Sequence, residues 1–306
     1  MKRRVYVFMM KFILFFLILC SINVFAQENT LVKGKIINLE TKEPIPYCSI
    51  VYLKKDKGVF SDSLGNFILK KDPLLDSIQI TSLGYEKKLL SIQILEANNL
   101  VISLKPIYFK LNEVAITPDD NKIKQKKNKK KLGPIATKLN SPKGIGPGVL
   151  GRISAIYVAN QTQNIPKKIT EVHYDLRNRK NSIVRVQLYH RNELTNLPDK
   201  ALILEDLIVK LKPGQNRLNV NIEKYNLMMP NNGLFVSLQW LGELDAKGRH
   251  TNTYLNISPD YTFNVDDHNI LNYVSFLNKN WIADNFFYEK KYWIPRFGIS
   301  VIEYSK

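Results

Sequence analysis

VKGKIINLETKEPIPYCSIVYLKKDKGVFSDSLGNFILK, residues 32–70, is the stretch on which the fold turns. Val32, Gly34, Ile36 and Asn38 alternate with Lys33, Lys35 and Ile37, a period of two that suits a strand and not a helix. Pro44 and Pro46 have no amide proton to give to a ladder, so they mark a turn before the apolar strand Tyr47–Leu53. Lys57-Gly58 and Leu64-Gly65-Asn66 supply two further turns. Gly58 and Gly65 are expected to take positive φ, and Asp62 to cap a turn amide. Phe67 and Tyr85 have the bulk to fill a small core.

Outward from this stretch the pattern continues. Ser77–Ser82 places Ile78 and Ile80 on one face, and Leu100, Ile102 and Leu104 close the set. Beyond Gly148 the alternation sharpens. Val172, Tyr174 and Leu176 alternate with His173 and Asp175; Val184, Val186 and Leu188 with Arg185 and Gln187; Leu234, Val236, Leu238 and Trp240 with Phe235, Ser237 and Gln239. Leu207–Leu211, Leu218–Ile222 and Ile299–Glu303 follow the same rule, while Pro213-Gly214 and Asn231-Asn232-Gly233 make turns. Half-buried antiparallel strands of this kind predict a second β-sandwich, jelly-roll-like, over 149–306. The polar region 251–280 is expected to form loops.

Charge divides the chain. Its net charge is +18, and between Asp119 and Gly148 nine lysines face only Asp119 and Asp120 among three prolines and four glycines. Like charges with Pro and Gly cannot bury a core, so residues 111–148 read as a basic flexible linker between a domain at 27–110 and one at 149–306. Lys126, Lys127, Lys129, Lys130 and Lys131 are the candidates for contact with an anionic surface. No aromatic is interleaved with them, which argues against single-stranded nucleic acid as a partner.

At the N-terminus, Lys2, Arg3 and Arg4 precede the apolar run 12–20, and Val24 and Ala26 sit where a signal peptidase reads. Residues 1–26 are therefore expected to be a secretory signal, with an uncleaved anchor as the alternative. The Leu-Ile-Leu before Cys20 lacks the small residue of a lipidation site. Loss of Cys20 with the signal leaves Cys48 as the one cysteine, so no intramolecular disulfide is expected.

Residues 32–70, followed by DSIQITSLGYEKK at 76–88, resemble the carboxypeptidase-regulatory-like domain, a transthyretin-like β-sandwich. The resemblance rests on Gly34, the Pro44/Pro46 bracket, Gly58, Asp62, Gly65, Phe67 and the Gly84-Tyr85 pair. LNEVAIT at 111–117 resembles the tag that follows this domain in TonB-dependent outer-membrane receptors. Too few residues remain for such a receptor's barrel, so the resemblance implies an envelope setting, periplasm or outer membrane, without receptor identity. The C-terminal half is similar to the β-sandwich that follows this domain in bacterial envelope proteins.

No motif indicates catalysis. His190 and Glu193 match a His-x-x-Glu zinc pattern but lack a third ligand and a base in any recognisable second motif. Asp260, Asp266 and Asp267, with Asn264 and Asn269, fit no calcium loop. Neither a cofactor nor a metal is expected. Trp281, Trp293 and Tyr292 are the candidates for stacking on a ligand such as a glycan, while Trp240 lies on the apolar face of its strand. The expected function is a non-enzymatic envelope protein, adaptor or binding module for another envelope component, with glycan binding by the C-terminal sandwich as the alternative.

Overall fold

The computed structural model describes residues 31–55, 57–70, 77–91, 100–107, 126–134, 150–162, 165–252, 257–259, 261–264, 272–277, 280–284, 287–288 and 291–305. Residues 1–26, expected to be a secretory signal, and residues 111–117 lie outside these residues, as do Asp260, Asp266, Asp267 and Asn269. Val32–Lys306 is one compact unit. It is all-β, with a single 3-10 turn at Glu223–Tyr225 among the described residues.

The first sandwich runs through β1 (Leu31–Asn38), β2 (Ser49–Tyr52), β3 (Gly58–Phe60), β4 (Asn66–Lys70), β5 (Ser77–Thr81), β6 (Lys88–Ser91) and β7 (Leu100–Leu104). Its sheets have the orders β4-β1-β7 and β3-β2-β5-β6. Between them lie Ile50, Phe67 and Leu69 together with Val32, Ile36, Ile78, Ile80, Ile102 and Leu104, positions the alternation selects. Strands β1 and β7 pair in parallel, which the intervening crossover through the other sheet permits. Cys48 belongs to this core, where burial pushes its thiol up to about 11 and leaves it a packing side chain.

The turn at Asp62 forms as its chemistry predicts. Its Oδ1 accepts from the amides of Leu64 and Asn66, both at 2.8 Å, and Gly65 takes φ +76°. Gly58 differs from expectation: it lies within β3 outside the left-handed region, and the reason for a glycine there is space. A Cβ on Gly58 would stand 2.3 Å from the Ile50 carbonyl oxygen. Gly34 is needed for the same reason, because the Phe67 ring crosses it and a Cβ would meet Cζ at 2.5 Å. Gly34→Ala is expected to lower stability by about 1–3 kcal/mol, since the Leu100 carbonyl on the other side blocks relief. An unchanged urea midpoint would contradict this packing.

The second sandwich comprises β8 (Lys126–Leu132), β9 (Arg152–Val158), β10 (Lys167–Asn178), β11 (Ser182–Arg191), β12 (Pro198–Ala201), β13 (Leu207–Leu211), β14 (Arg217–Asn221), β15 (Leu234–Leu244), β16 (His250–Thr251), β17 (Ile257–Pro259), β18 (Tyr261–Asn264), β19 (Asn272–Phe276), β20 (Ile282–Ala283), β21 (Phe287–Tyr288), β22 (Lys291–Pro295) and β23 (Phe297–Ser305). One sheet has the order β14-β10-β23-β8, with β17 also on β10. The facing sheet has the order β12-β11-β15-β9-β19-β20, with β13 on β11 and β16 on β15, and β18-β22-β21 form a small third sheet. Val172, Tyr174, Leu218 and Ile299 from the first meet Val184, Val186, Leu188, Val236, Leu238 and Trp240 from the second. The Tyr174 hydroxyl donates to the Ser237 carbonyl at 2.8 Å, joining the two sheets through the core.

Two expectations are corrected here. Residues 126–132, read as part of the linker, form β8, the edge strand against β23. Backbone pairing needs no apolar side chain, and a lysine-rich strand suits a sheet edge because its charge discourages further pairing. Lys129, Lys130 and Lys131 are exposed on it, and Lys130 Nζ reaches Glu303 Oε2 at 2.6 Å. Lys126 and Lys127 begin the same strand. Likewise 251–280, read as loops, contributes β17, β18 and β19 together with the end of β16. Of these, β19 pairs with β9 along five residues, so ladder bonds order a stretch that lacks alternation.

Candidate functional site: a cleft between the sandwiches

A strand has two faces, and in β11 and β15 both are buried. Val184, Val186 and Leu188 cover the core of the second sandwich, so Ile183, Arg185, Gln187 and Tyr189 point the other way. In register with them on β15 are Gly242, Gln239, Ser237 and Phe235. This second face meets the first sandwich. Tyr47, Val51 and Phe60 pack with Ile183, Leu241 and Leu277 in a third apolar cluster. Leu277 acts as its knob: its methyl groups fill the spaces left by Gly58 and Gly151, where Cβ atoms would stand 2.9 and 2.3 Å away. Asn252 adds a polar clasp, accepting from the Phe60 amide at 3.0 Å and donating to the Phe60 carbonyl at 3.3 Å.

Arg185 ties the polar part together. It is 6% exposed and forms a forked pair with Asp206, through Nε to Oδ1 and Nη2 to Oδ2 at 2.8 Å. Nη1 donates to Gln239 Oε1 at 2.6 Å, and Nη2 donates across to the Tyr47 carbonyl at 3.0 Å. Tyr47 itself stands at φ +50°, a left-handed conformation uncommon outside glycine. Burial opposes the guanidinium charge, yet the Asp206 carboxylate holds its pKa above the ordinary value. The linked groups come from both sandwiches, so the pair network is a fastening as well as a wall.

Beside it opens a cavity of about 270 Å³. Thr81, Ser82 and Leu83, at the end of β5, line one side; Ile153, Arg185, Gln187, Tyr189, Gln239, Ser275 and Trp281 line the other. Tyr189 and Trp281 meet edge to face, centroids 5.6 Å apart at 76°. Burial pushes the Tyr189 hydroxyl up to about 12, so it stays protonated. Gln187 is satisfied, donating to the Ile203 carbonyl and accepting from the Leu188 amide, each at 2.8 Å. Gln239 is 3% exposed and its Nε2 has no hydrogen-bond partner.

The aromatic residues singled out from sequence are not gathered here as a set. Trp281 lines the cleft, half-buried, whereas Trp293 is 5% exposed on β22, and Tyr292 is its neighbour on that strand. A buried indole offers no face for stacking, which removes Trp293 as a platform residue. His190 is exposed one residue before the end of β11, and Glu193 accepts from Asn232 Nδ2 at 3.3 Å. Among the described residues no three His, Cys, Asp or Glu side chains gather as a metal set. Arg185 and Gln239 escaped sequence reasoning because polar residues in alternation read as solvent-facing. The available signal was Ile183, Phe235 and Leu241, apolar on that same face.

The first sandwich supplies the Thr81–Leu83 wall, and it has the β-sandwich fold that the resemblance implies. Residues 32–116 match the CarboxypepD_reg-like domain family. The carboxypeptidase-regulatory-like domain thus covers the first sandwich and leaves the second outside the match. No curated protein matches the chain.

One histidine reports on this junction. His250 packs edge-on against Tyr47, centroids 5.8 Å apart, and its Nε2 donates to the Leu241 carbonyl at 2.8 Å. Burial lowers its pKa below the ordinary 6.5. Below that value the unfolded chain binds a proton that the folded one refuses, so stability is intact above it and falls as pH drops. The melting temperature is expected to decline from pH 7.5 to 5.5, and less steeply in His250→Gln, whose amide can keep the bond to Leu241. Equal slopes for the two proteins would refute the assignment.

Proposed function

We propose that the protein is a non-enzymatic component of a bacterial cell envelope, exported to the periplasm or outer membrane, that serves as an adaptor or binding module for another envelope component. The observation that carries this reading is the Arg185–Asp206–Gln239–Tyr47 network. It fastens the carboxypeptidase-regulatory-like domain to the second sandwich and leaves a preformed cleft between them. Preorganisation lowers the ordering cost of binding. The ionisable groups lining the cleft are held in the protonation states that bind and do not transfer protons: Arg185 charged and paired, Tyr189 protonated up to about 12. The charged N-terminus followed by an apolar run supports export.

The test is in the cell. Fractionation should place the protein in the envelope, and a photo-cross-linking side chain at Leu83, on the cleft wall, should trap one defined envelope component. The same side chain at Leu194, a turn position 94% exposed, should not. Cytoplasmic recovery, or identical products from both positions, would overturn the reading.

A further inference from the structure

We infer that the cleft is a binding site for a neutral sugar residue, with Gln239 as the hydrogen-bond donor that reads it and Trp281 as the apolar wall. The inference rests on the binding-module reading and names the ligand class of that site.

Gln239 carries the argument. A guanidinium has only donors, so the side chain must turn Oε1 to Arg185 Nη1, and this directs Nε2 elsewhere. There Nε2 is buried without a partner, on a residue that lines the cavity, so a ligand oxygen meets it once the amide turns toward the cleft. A buried amide donor left unpaired is costly, and in native proteins it usually finds a partner. Its complement is a ligand oxygen. Arg185 adds a second donor: Nη1 gives one hydrogen to Gln239 and has another to offer.

Charge decides which oxygen. Arg185 is the single ionised side chain on the described lining, and Asp206 already neutralises it through a forked pair. An anionic ligand would have to compete with that carboxylate, and a cation would meet the guanidinium. A neutral ligand meets neither cost. The walls form a mixed surface: Leu83, Ile153, Tyr189 and Trp281 are apolar or aromatic, while Thr81, Ser82 and Ser275 are polar. A sugar ring has this split character, with C–H faces that pack on an aromatic and hydroxyls that donate and accept. About 270 Å³ is near the lower bound for small-molecule sites, which suits one ring at the end of a chain.

Calorimetric titration of the purified protein with maltotriose, cellotriose, chitotriose and mannotriose tests this, with trigalacturonate as the acidic control. At least one neutral trisaccharide should bind with a dissociation constant below about 1 mM. Gln239→Glu keeps the acceptor for Arg185, and so the fold, but removes the donor. It should weaken binding about tenfold, as should Trp281→Ala, with the Gln239→Glu melting temperature retained. Binding of none of the four, preference for trigalacturonate, or wild-type affinity in both variants would overturn the inference. Failure here together with a partner trapped at Leu83 would leave the adaptor reading standing, so the two can be told apart.

Discussion

Asp206→Ala should destabilise the protein by about 3–5 kcal/mol, the cost of leaving a buried charge without its counterion. Arg185 is 6% exposed, and the two partners it would keep, Gln239 Oε1 and the Tyr47 carbonyl, are neutral dipoles that solvate a guanidinium only in part. At roughly 2–4 °C per kcal/mol for a chain of this size class, the melting temperature should drop by about 10 °C. The double variant Arg185→Met/Asp206→Leu should recover much of the loss, because apolar side chains of similar volume often replace a buried pair at little cost. A single variant melting within about 2 °C of the parent would show that water already screens the pair. The consequence reaches beyond stability. The same guanidinium bridges the carboxypeptidase-regulatory-like domain and the second sandwich, so Asp206→Ala should also admit protease near Tyr47 sooner than the parent does.

Trp240→Ala should cost about 3–5 kcal/mol through the cavity it opens. Trp240 is fully buried between the two sheets of the second sandwich, directly opposite Val184 on β11. Its indole Nε1 has no hydrogen-bond partner, so the ring stabilises by packing alone and carries an unsatisfied donor. Trp240→Phe should therefore cost much less than the lost volume suggests. Urea midpoints for the pair decide it: if Trp240→Phe falls as far as Trp240→Ala, the indole nitrogen has a partner.

Legibility followed physical cause. Alternation marked Val184, Val186 and Leu188 as one face because a strand's side-chain period is a local property. The Asp62–Gly65 turn was legible for the same reason, being built within five residues. Strand β8 was not, since its order comes from β23, which begins more than 160 residues later in the chain. Trp293 read as a candidate platform because burial depends on what packs above a residue. The cleft was the hardest to foresee. Its lining joins the end of β5 to four strands and a tryptophan of the other sandwich, and none of these positions carries a local motif.

By itself, then, the sequence determined the all-β class, the carboxypeptidase-regulatory-like domain and the core-facing residues of both sandwiches. These follow from period, turn chemistry and the bulk of neighbouring side chains. Only the tertiary structure decided that the second face of β11 and β15 is covered as well. That contact buries Arg185 against Asp206, leaves Gln239 with a donor to spare, and places Trp281 beside it, because the fate of a polar side chain depends on what the fold sets against it.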